Sequence, residues 1–177
     1  LQPEVIMIQS LADFVADEPI FVDANIFLFH VLDDEKHGKA ATSFLTRIEN
    51  EETEALTSSL VVDEVFFKIL VQEAAAHLKR PTIWNIKQAM KDKAFVEKVY
   101  APVLEYKTYL ESLAFLGMKV VGVTGAHLLM AADIGAEVGL LITDAAHVAV
   151  MRERGISHLA TADADLFNIE GITVWTP

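Results

Sequence analysis

Short runs of apolar and β-branched residues alternate along this chain with longer stretches of helical periodicity. The short runs predict strands at residues 20–23, 55–58, 119–123, 158–161 and 172–175. The longer stretches predict helices that include residues 24–32, 37–49, 60–70, 125–137 and 143–154. Strands that alternate with helices form a parallel sheet that is covered on both faces. We therefore predict an α/β fold of three layers, α/β/α, around a short central parallel sheet.

The chain has 177 residues and shows no repeats, low-complexity tracts or flexible linkers, which fits a single domain over residues 1–177. Residues 81–116 predict one helix or two, with Pro81 and Pro102 as helix starts or breaks. Ser59 is the predicted N-cap of the helix that follows the second strand.

Composition excludes some chemistry and bears on the compartment. The chain has no cysteine, so disulfides, thiolate metal sites and cysteine nucleophiles are excluded. No run of about 18 uncharged apolar residues predicts a membrane span. The apolar patch at the start has no basic residue before it, unlike a secretory signal. We expect a cytoplasmic protein without a membrane partner, since a reducing compartment is compatible with this composition.

The formal net charge of −12 argues against broad, nonspecific binding of nucleic acid, which usually needs a basic surface. Two interpretations remain. The acids either form a solvated surface, or some of them are concentrated in a metal site, where bound cations reverse the local charge. The second interpretation requires acids at particular places in the fold.

Four acids occupy such places. In a parallel α/β fold, ligands bind beyond the carboxyl ends of the strands. Asp23 and Asp163 each follow a predicted strand there. Glu64 lies on an otherwise apolar helix, whereas the adjacent Asp63 points about 100° away and is the more solvent-facing acid. Asp144 begins a helix.

Each of these acids also has a purely structural interpretation. Asp23 suits a turn or cap, Glu64 suits simple exposure, and the helix dipole favours Asp144 in a first turn. Asp163 and Asp165 suit an Asp-rich turn. Together, however, they offer the oxygen ligands that Mg²⁺ or Mn²⁺ prefers.

Three polar neighbours are also candidates, and the first two have two interpretations each. Asn25 either holds the Asp23 carboxylate or caps the following helix. His147 either pairs with Asp144 as a metal ligand or is a packed core histidine, and we favour the core. Thr161 is a candidate partner of the metal or its water.

These segments resemble the PIN-domain family, in particular its VapC-like toxin ribonucleases. The resemblance is carried by FVDANIFLF, SSLVVDEVFF and ITDAAHVAVMRERGISHLATADADLFNIEGITVW, in the family's order from about residue 20 to the C-terminus. It implies a ribonuclease that depends on Mg²⁺ or Mn²⁺ and has a central parallel sheet.

The family's acids are expected at particular positions of this chain. The first falls on Asp23, the helix acid on Glu64, the third on Asp144 and the fourth on Asp163, with Asp165 in reserve. The chain departs from the compact family pattern in an N-terminal extension, residues 1–19, and an extended helical insert at about residues 79–117.

The insert contains the densest positive stretch of this acidic chain. Its candidate RNA contacts include Lys79, Arg80, Lys87 and Lys91, and Trp84 offers a ring on which a base can stack. The competing interpretation is a solvated helix with its apolar face on the core.

Three functions are compatible with these residues. The leading one is a metal-dependent ribonuclease with an RNA substrate and, from the resemblance, an antitoxin partner. The others are an aspartate-dependent phosphohydrolase with Asp23 as nucleophile, and a PIN-like protein that binds RNA or a partner without cutting. The helix at residues 60–70 is apolar and carries Phe66, Phe67 and Ile69, which predicts a homodimer. The resemblance implies the same, because the family commonly forms homodimers.

Overall fold

The computed structural model describes residues 8–15 and 17–177. Within them, six strands form one sheet in which every neighbouring pair is parallel. The strands are β1 (Ile8–Ser10), β2 (Ile20–Val22), β3 (Ala55–Ser58), β4 (Lys119–Val121), β5 (His158–Ala160) and β6 (Thr173–Thr176). Their spatial order is β1-β6-β5-β2-β3-β4. The predicted α/β fold with a short parallel sheet is confirmed.

Seven α-helices connect these strands in the described part of the chain. They are α1 (Ala24–Val31), α2 (Gly38–Glu49), α3 (Ser59–His77), α4 (Ile83–Ala89), α5 (Lys93–Phe115), α6 (Gly125–Val138) and α7 (Ile142–Arg154). Single 3₁₀ turns lie at Leu11–Asp13 and Ala164–Leu166. Helix α1 packs on α2 and α3, α3 packs on α5, and α6 packs on α7.

The direction of the chain reverses between two central strands. From β2 the chain moves to β3 and β4 at one side of the sheet, whereas from β5 it moves to β6 at the other side. Since crossovers between parallel strands are right-handed, helices α1 to α5 lie on one face and α6 and α7 on the other. β2 and β5 are neighbours, so a crevice opens between their carboxyl ends, where α/β proteins bind ligands.

The central strands are buried on both faces, which is why they read as continuous apolar runs. All residues of β2 and β3 are buried, and the polar side chains of β3 are satisfied internally. Thr57 donates to the carbonyl of Val22 at 2.9 Å, and Ser58 accepts from the amide of Val61 at 3.2 Å. The N-cap of α3 is therefore Ser58, one residue before the predicted Ser59.

Helix α3 buries different faces along its length. Its first half buries Val61, Val65 and Ile69 in the main core. Its second half joins a separate apolar cluster with α4 and the start of α5, built around Ala74, Ile86 and Val99. This second cluster contains no residue of the sheet, so α4 and the adjoining ends of α3 and α5 form an arm with a small core of its own.

Pro102 does not start or break a helix, contrary to the prediction. It lies inside α5, which is continuous for 23 residues. Proline lacks the N–H that would bond one turn back, which costs roughly 3 kcal/mol in a helix interior. Burial of Val99, Val103 and Tyr106 on either side of it offsets this cost. Pro81, in contrast, precedes α4, whose N-cap is Thr82.

Part of the N-terminal extension belongs to the sheet. Strand β1 pairs with β6, and the side chains of Leu11 and Phe14 are fully buried. The Phe14 ring meets that of Trp175 edge to face, with centroids 4.9 Å apart. The remainder of the extension, residues 1–7 and residue 16, lies outside the described residues.

Within the described residues, no single helix is long and apolar enough to cross a membrane. Only α6 and α7 taken together reach the required length and hydropathy, and they are bent by 108° relative to each other.

Phe14→Ala should lower the free energy of unfolding by about 3–5 kcal/mol, because it leaves a cavity between β6 and the chain before β2. Val15→Ala is the control, since Val15 is 88% exposed and should change stability by less than about 0.5 kcal/mol. Urea denaturation of both variants measures the difference. A Phe14→Ala loss below about 1 kcal/mol would show that residues 8–14 do not contribute to the folded core.

Candidate active site

Asp23 is a buried acid between the carboxyl ends of β2 and β5. Its side chain is 7% exposed, and its backbone amide donates to the carbonyl of Ala160 at 3.1 Å, which extends the strand pairing. Asp23 is also the N-cap of α1, because its Oδ1 accepts from the amide of Ala24 at 2.7 Å. Asp23 therefore has the capping role that the sequence allowed, and this role uses only one of its two carboxylate oxygens.

Thr161 and Asn25 hold that second oxygen. Asp23 Oδ2 accepts from the Thr161 hydroxyl at 2.6 Å and from the Asn25 amide at 2.5 Å. The Asn25 amide also donates to Thr161 Oγ1 at 2.8 Å, and its carbonyl accepts from the amide of Ala162. Asn25 thus holds the Asp23 carboxylate and ties the two strand ends together, while the cap of α1 is Asp23 itself.

Glu64 and Asp144 approach Asp23 from opposite faces of the sheet. Glu64 lies in the second turn of α3, which begins directly after β3, and Asp144 lies in the first turn of α7. Both helices begin at the carboxyl edge, because α7 ends just before β5 starts. Glu64 is half-buried, whereas Asp63 is exposed, as predicted.

Asp163 and Asp165 follow β5 in a tight turn. Asp163 Oδ1 accepts from the amide of Asp165 at 3.0 Å, and the amide of Asp163 donates to Thr161 Oγ1 at 3.0 Å. Asp163 is half-buried and Asp165 is exposed. The structural role predicted for an Asp-rich turn is therefore present, and the same turn directs Asp163 toward Asp144.

Charge repulsion and burial act together on these acids. The pKa of Asp23 is raised to about 6. Burial is the largest cause, the hydrogen bonds from Thr161 and Ala24 oppose it, and the charges of Glu64 and Asp144 add to it. Burial also raises the pKa of Asp144, with contributions from Asp163, then Glu64, then Asp165. The five carboxyl groups therefore share one electrostatic environment.

His147 is a core histidine, as favoured from the sequence. Its ring is buried beside Phe21, and its Nδ1 is 3.2 Å from the hydroxyl of Ser58. Burial lowers the pKa of His147 to about 4, so the ring is neutral at physiological pH. It joins β3 to α7 beneath the acids rather than adding an imidazole to them.

The donor set suits a hard divalent cation, because it consists of carboxylate oxygens with amide and hydroxyl support. Among the described residues, no three acidic or imidazole side chains stand close enough to enclose an ion by themselves. Mg²⁺ does not need such a cage, since it usually keeps several waters and takes one or two carboxylates. Burial is the main cause of the raised pKa values of Asp23 and Asp144, and the neighbouring acids add to it; a bound cation would stabilise the charged form of both groups.

The predicted basic contacts lie on the arm. Lys79 and Arg80 follow the end of α3, Lys87 lies on α4, and Lys91 precedes α5; all four are exposed. At about 1.5 Å per residue, the end of α3 is roughly 20 Å of helix beyond Glu64. The basic segment therefore does not contact the acids directly.

Sequence reasoning undervalued Thr161. Its hydroxyl donates to Asp23 and accepts from both Asn25 and the amide of Asp163, so it is the centre of the network. The signal was present, because Thr161 ends the strand that neighbours β2 and stands two residues before Asp163.

The fold and this acidic crevice agree with the sequence comparison. The model of the PIN domain family matches residues 20–172, and the chain belongs to the PIN-domain family. No match was found among curated protein sequences.

Several solved structures have the same fold. VapBC2 from Rickettsia felis, bound to a promoter DNA fragment, is similar with a TM-score of 0.57 and 13% identity, covering 90% of this chain and 98% of that one. A toxin–antitoxin complex from Klebsiella pneumoniae has a TM-score of 0.53 and 15% identity, covering 86% and 94%. FitAcB from Neisseria gonorrhoeae has a TM-score of 0.51 and 14% identity, covering 88% and 96%. At these identities the likeness concerns the fold.

Asp23→Asn should stabilise the metal-free protein increasingly as pH rises. A carboxyl group with a folded-state pKa of about 6, against an ordinary value of 3.8, binds its proton more tightly when folded. Its contribution to stability is present below about pH 4 and is lost as pH rises through about 6, a loss on the order of 3 kcal/mol. The asparagine does not titrate, so it escapes this loss.

Urea denaturation of both proteins in chelator, from about pH 4 to pH 7, measures that change. Any fixed cost of the amide in the Thr161 and Asn25 network cancels in the pH dependence. A difference in stability between the two proteins that stays constant over this range would contradict the raised pKa of Asp23.

Proposed function

We propose that this protein is an endoribonuclease that depends on Mg²⁺ or Mn²⁺. The observation that carries the proposal is the group of mutually repelling carboxyl groups around buried Asp23, at the reversal point of a PIN-domain sheet. Such a site is costly in an empty protein and favourable around a cation. One solved structure with the same fold is a toxin–antitoxin complex, which supports a toxin role for this chain.

Asp23, Glu64, Asp144 and Asp163 would hold the metal, with Asp165 as an alternative to Asp163. A divalent cation in such a site activates water and stabilises the charge that develops in phosphodiester hydrolysis. Asn25 and Thr161 fix the orientation of the Asp23 carboxylate before any ligand arrives. We expect products with a 3′-hydroxyl and a 5′-phosphate.

An aspartyl nucleophile is less well supported. Common aspartyl-phosphate hydrolases carry a second Asp two residues after the nucleophile, whereas this chain has Asn25 there, and its amide donates to the Asp23 carboxylate. A binding protein that does not cut is also less well supported, because no acid position of the site is lost.

Glu64→Gln should lower RNA cleavage at least tenfold to 100-fold, the range expected when a group around a catalytic metal is removed. The matched control is Asp63→Asn, which removes an exposed acid from the adjacent position of α3 and should leave the rate unchanged. Cleavage is followed on labelled RNA with Mg²⁺ or Mn²⁺. Equal effects of the two substitutions would exclude Glu64 from the active site.

Mg²⁺ or Mn²⁺ should raise the melting temperature of the parent protein, because a ligand that binds only the folded state stabilises it by about 2.7 kcal/mol at 100 times Kd. Asp144→Asn should reduce this shift, since it removes a carboxylate from the shared site. Differential scanning fluorimetry with Ca²⁺ and Na⁺ as further salts measures it. If millimolar Mg²⁺ and Mn²⁺ leave the melting temperature of the parent protein unchanged, the proposed metal site is contradicted.

The basic arm is proposed to hold RNA away from the scissile bond. Lys87→Gln with Lys91→Gln should weaken RNA binding and reduce its salt dependence, since each lost phosphate contact of a single strand removes about 0.7 from the slope. Lys107→Gln with Lys39→Gln is a control of equal charge on other helices. If the two pairs behave alike in fluorescence anisotropy, the arm is only a solvated helix.

An antitoxin partner and a homodimer are proposed as well. The dimer face was predicted on α3 from Phe66, Phe67 and Ile69; Ile69 is buried in the core and Phe66 is partly buried against it, whereas Phe67 is exposed. Helix α6 and the start of α7 expose more apolar surface, at Leu128, Leu129, Met130, Leu141 and Ile142. We propose that part of this exposed apolar surface forms one patch, since large exposed apolar patches mark interaction sites.

Leu129→Glu should therefore yield a monomer where the parent is a dimer, because it places a charge in the middle of this patch. Light scattering across micromolar concentrations measures the mass of both proteins. Val15→Glu, on another exposed apolar residue, is the control. If the parent protein is monomeric at all these concentrations, the dimer proposal fails, and an antitoxin remains the proposed partner of this surface.

A further inference from the structure

One face of α3 leads from the acidic crevice to the basic arm. Residues three or four apart on a helix lie next to each other on its surface. Starting at Glu64, this spacing selects Lys68, Gln72 and Ala75 within α3, and Lys79 follows two residues after the helix ends; we name these four residues the α3 track. All four are exposed, and the first three belong to the continuous helix.

Lys68 begins the α3 track one turn from Glu64. Side chains on a helix lean toward its N-terminus, so the long Lys68 side chain is directed back toward the acidic crevice. An acid followed by a lysine four residues later commonly forms an ion pair. In the described part of the chain Lys68 forms no ion pair with Glu64 or with another acid.

The α3 track carries no acid, although the protein holds 26 acidic and 14 basic residues. The remaining acids of α3 lie on other faces. Asp63 is about 100° away from Glu64, and Glu73, about 100° beyond Gln72, is engaged with His77 at 2.9 Å. The small side chain of Ala75 adds neither charge nor bulk between Gln72 and Lys79. The result is a neutral to positive path on a negative protein.

We propose that the α3 track binds the backbone of the RNA strand that is being cut, with Lys68 on the phosphate nearest the acidic crevice. The inference rests on the proposed ribonuclease function. From Glu64 to Lys79 the path is roughly 22 Å long at about 1.5 Å per residue. At about 3.4 Å per stacked nucleotide it spans at most about six nucleotides of a single strand.

The first test measures the affinity of single-stranded RNA in an Asp144→Asn background, which prevents cleavage. Lys68→Gln should make the dependence of binding on salt shallower by about 0.7, and should weaken binding about fivefold at roughly 0.1 M salt. Lys119→Gln is the matched control, because Lys119 is exposed and begins β4 at the opposite edge of the sheet. Lys68→Arg should restore binding.

The second test varies the length of a labelled oligouridylate from about 3 to about 12 nucleotides. The effect of Lys68→Gln should be present with the shortest strands that bind. The effect of Lys79→Gln should emerge only with strands several nucleotides longer, because Lys79 is the far end of the α3 track. Effects that emerge together, or in the reverse order, would overturn the path.

The outcomes separate the α3 track from the function on which it rests. If the parent protein neither cleaves RNA nor binds it in the Asp144→Asn background, the ribonuclease proposal fails and the α3 track fails with it. If RNA binds but Lys68→Gln and Lys119→Gln have the same affinity and salt slope, the α3 track alone fails. Circular dichroism and the metal-induced melting shift of Lys68→Gln should match those of the parent.

Discussion

The position of one buried carboxylate, Asp23, governs the arrangement around it. Burying a charge is costly unless it is paired or hydrogen-bonded. Here the compensation comes from Ala24, Asn25 and Thr161, which belong to two different strand ends. The network therefore fixes the relative position of β2 and β5 at the edge where the chain direction reverses. The crevice has its shape before any ligand enters it.

The remaining acids depend on the layers of the fold. Glu64 comes from the face of the sheet that carries α3, and Asp144 comes from the face that carries α7. Each is placed by a helix that begins at the same sheet edge, so the two approach Asp23 from opposite sides. Burial first and the neighbouring acids second raise the pKa of Asp23 and of Asp144, and the apolar core that packs under the crevice supplies the stability that tolerates this cost.

The sequence was informative where a physical pattern is local. The buried strands are short apolar runs, and their acids stand at the next position, so both the sheet and the acids at its edge were predictable. The role of Asn25 was ambiguous, because an asparagine at the start of α1 can either cap the helix or hold the Asp23 carboxylate. Only the proximity of Thr161, more than a hundred residues away, decides between them.

Non-local packing accounts for the errors. Strand β1 has no strong periodicity of its own, and it forms because β6 offers a parallel edge and Trp175 offers a surface for Phe14. Pro102 breaks helices in general, yet the packing of α5 on α3 tolerates it. The apolar residues of α3 predicted a free face because periodicity does not reveal that the helix buries two faces in two separate clusters.

Those two clusters also suit the proposed binding of RNA by so acidic a chain. If α3 ended with the sheet, its cations would lie close to the carboxylates and pair with them. The second cluster instead carries α4 and the ends of α3 and α5 away from the main core, so lysines and Arg80 stay exposed about four turns from Glu64. Under the proposed function, long-range repulsion of RNA by the net charge would be met by local attraction at a distance from the crevice. This separation would leave the acidic crevice free for a cation, while Lys68 on α3 and the cations beyond its end face an RNA strand that extends past the crevice.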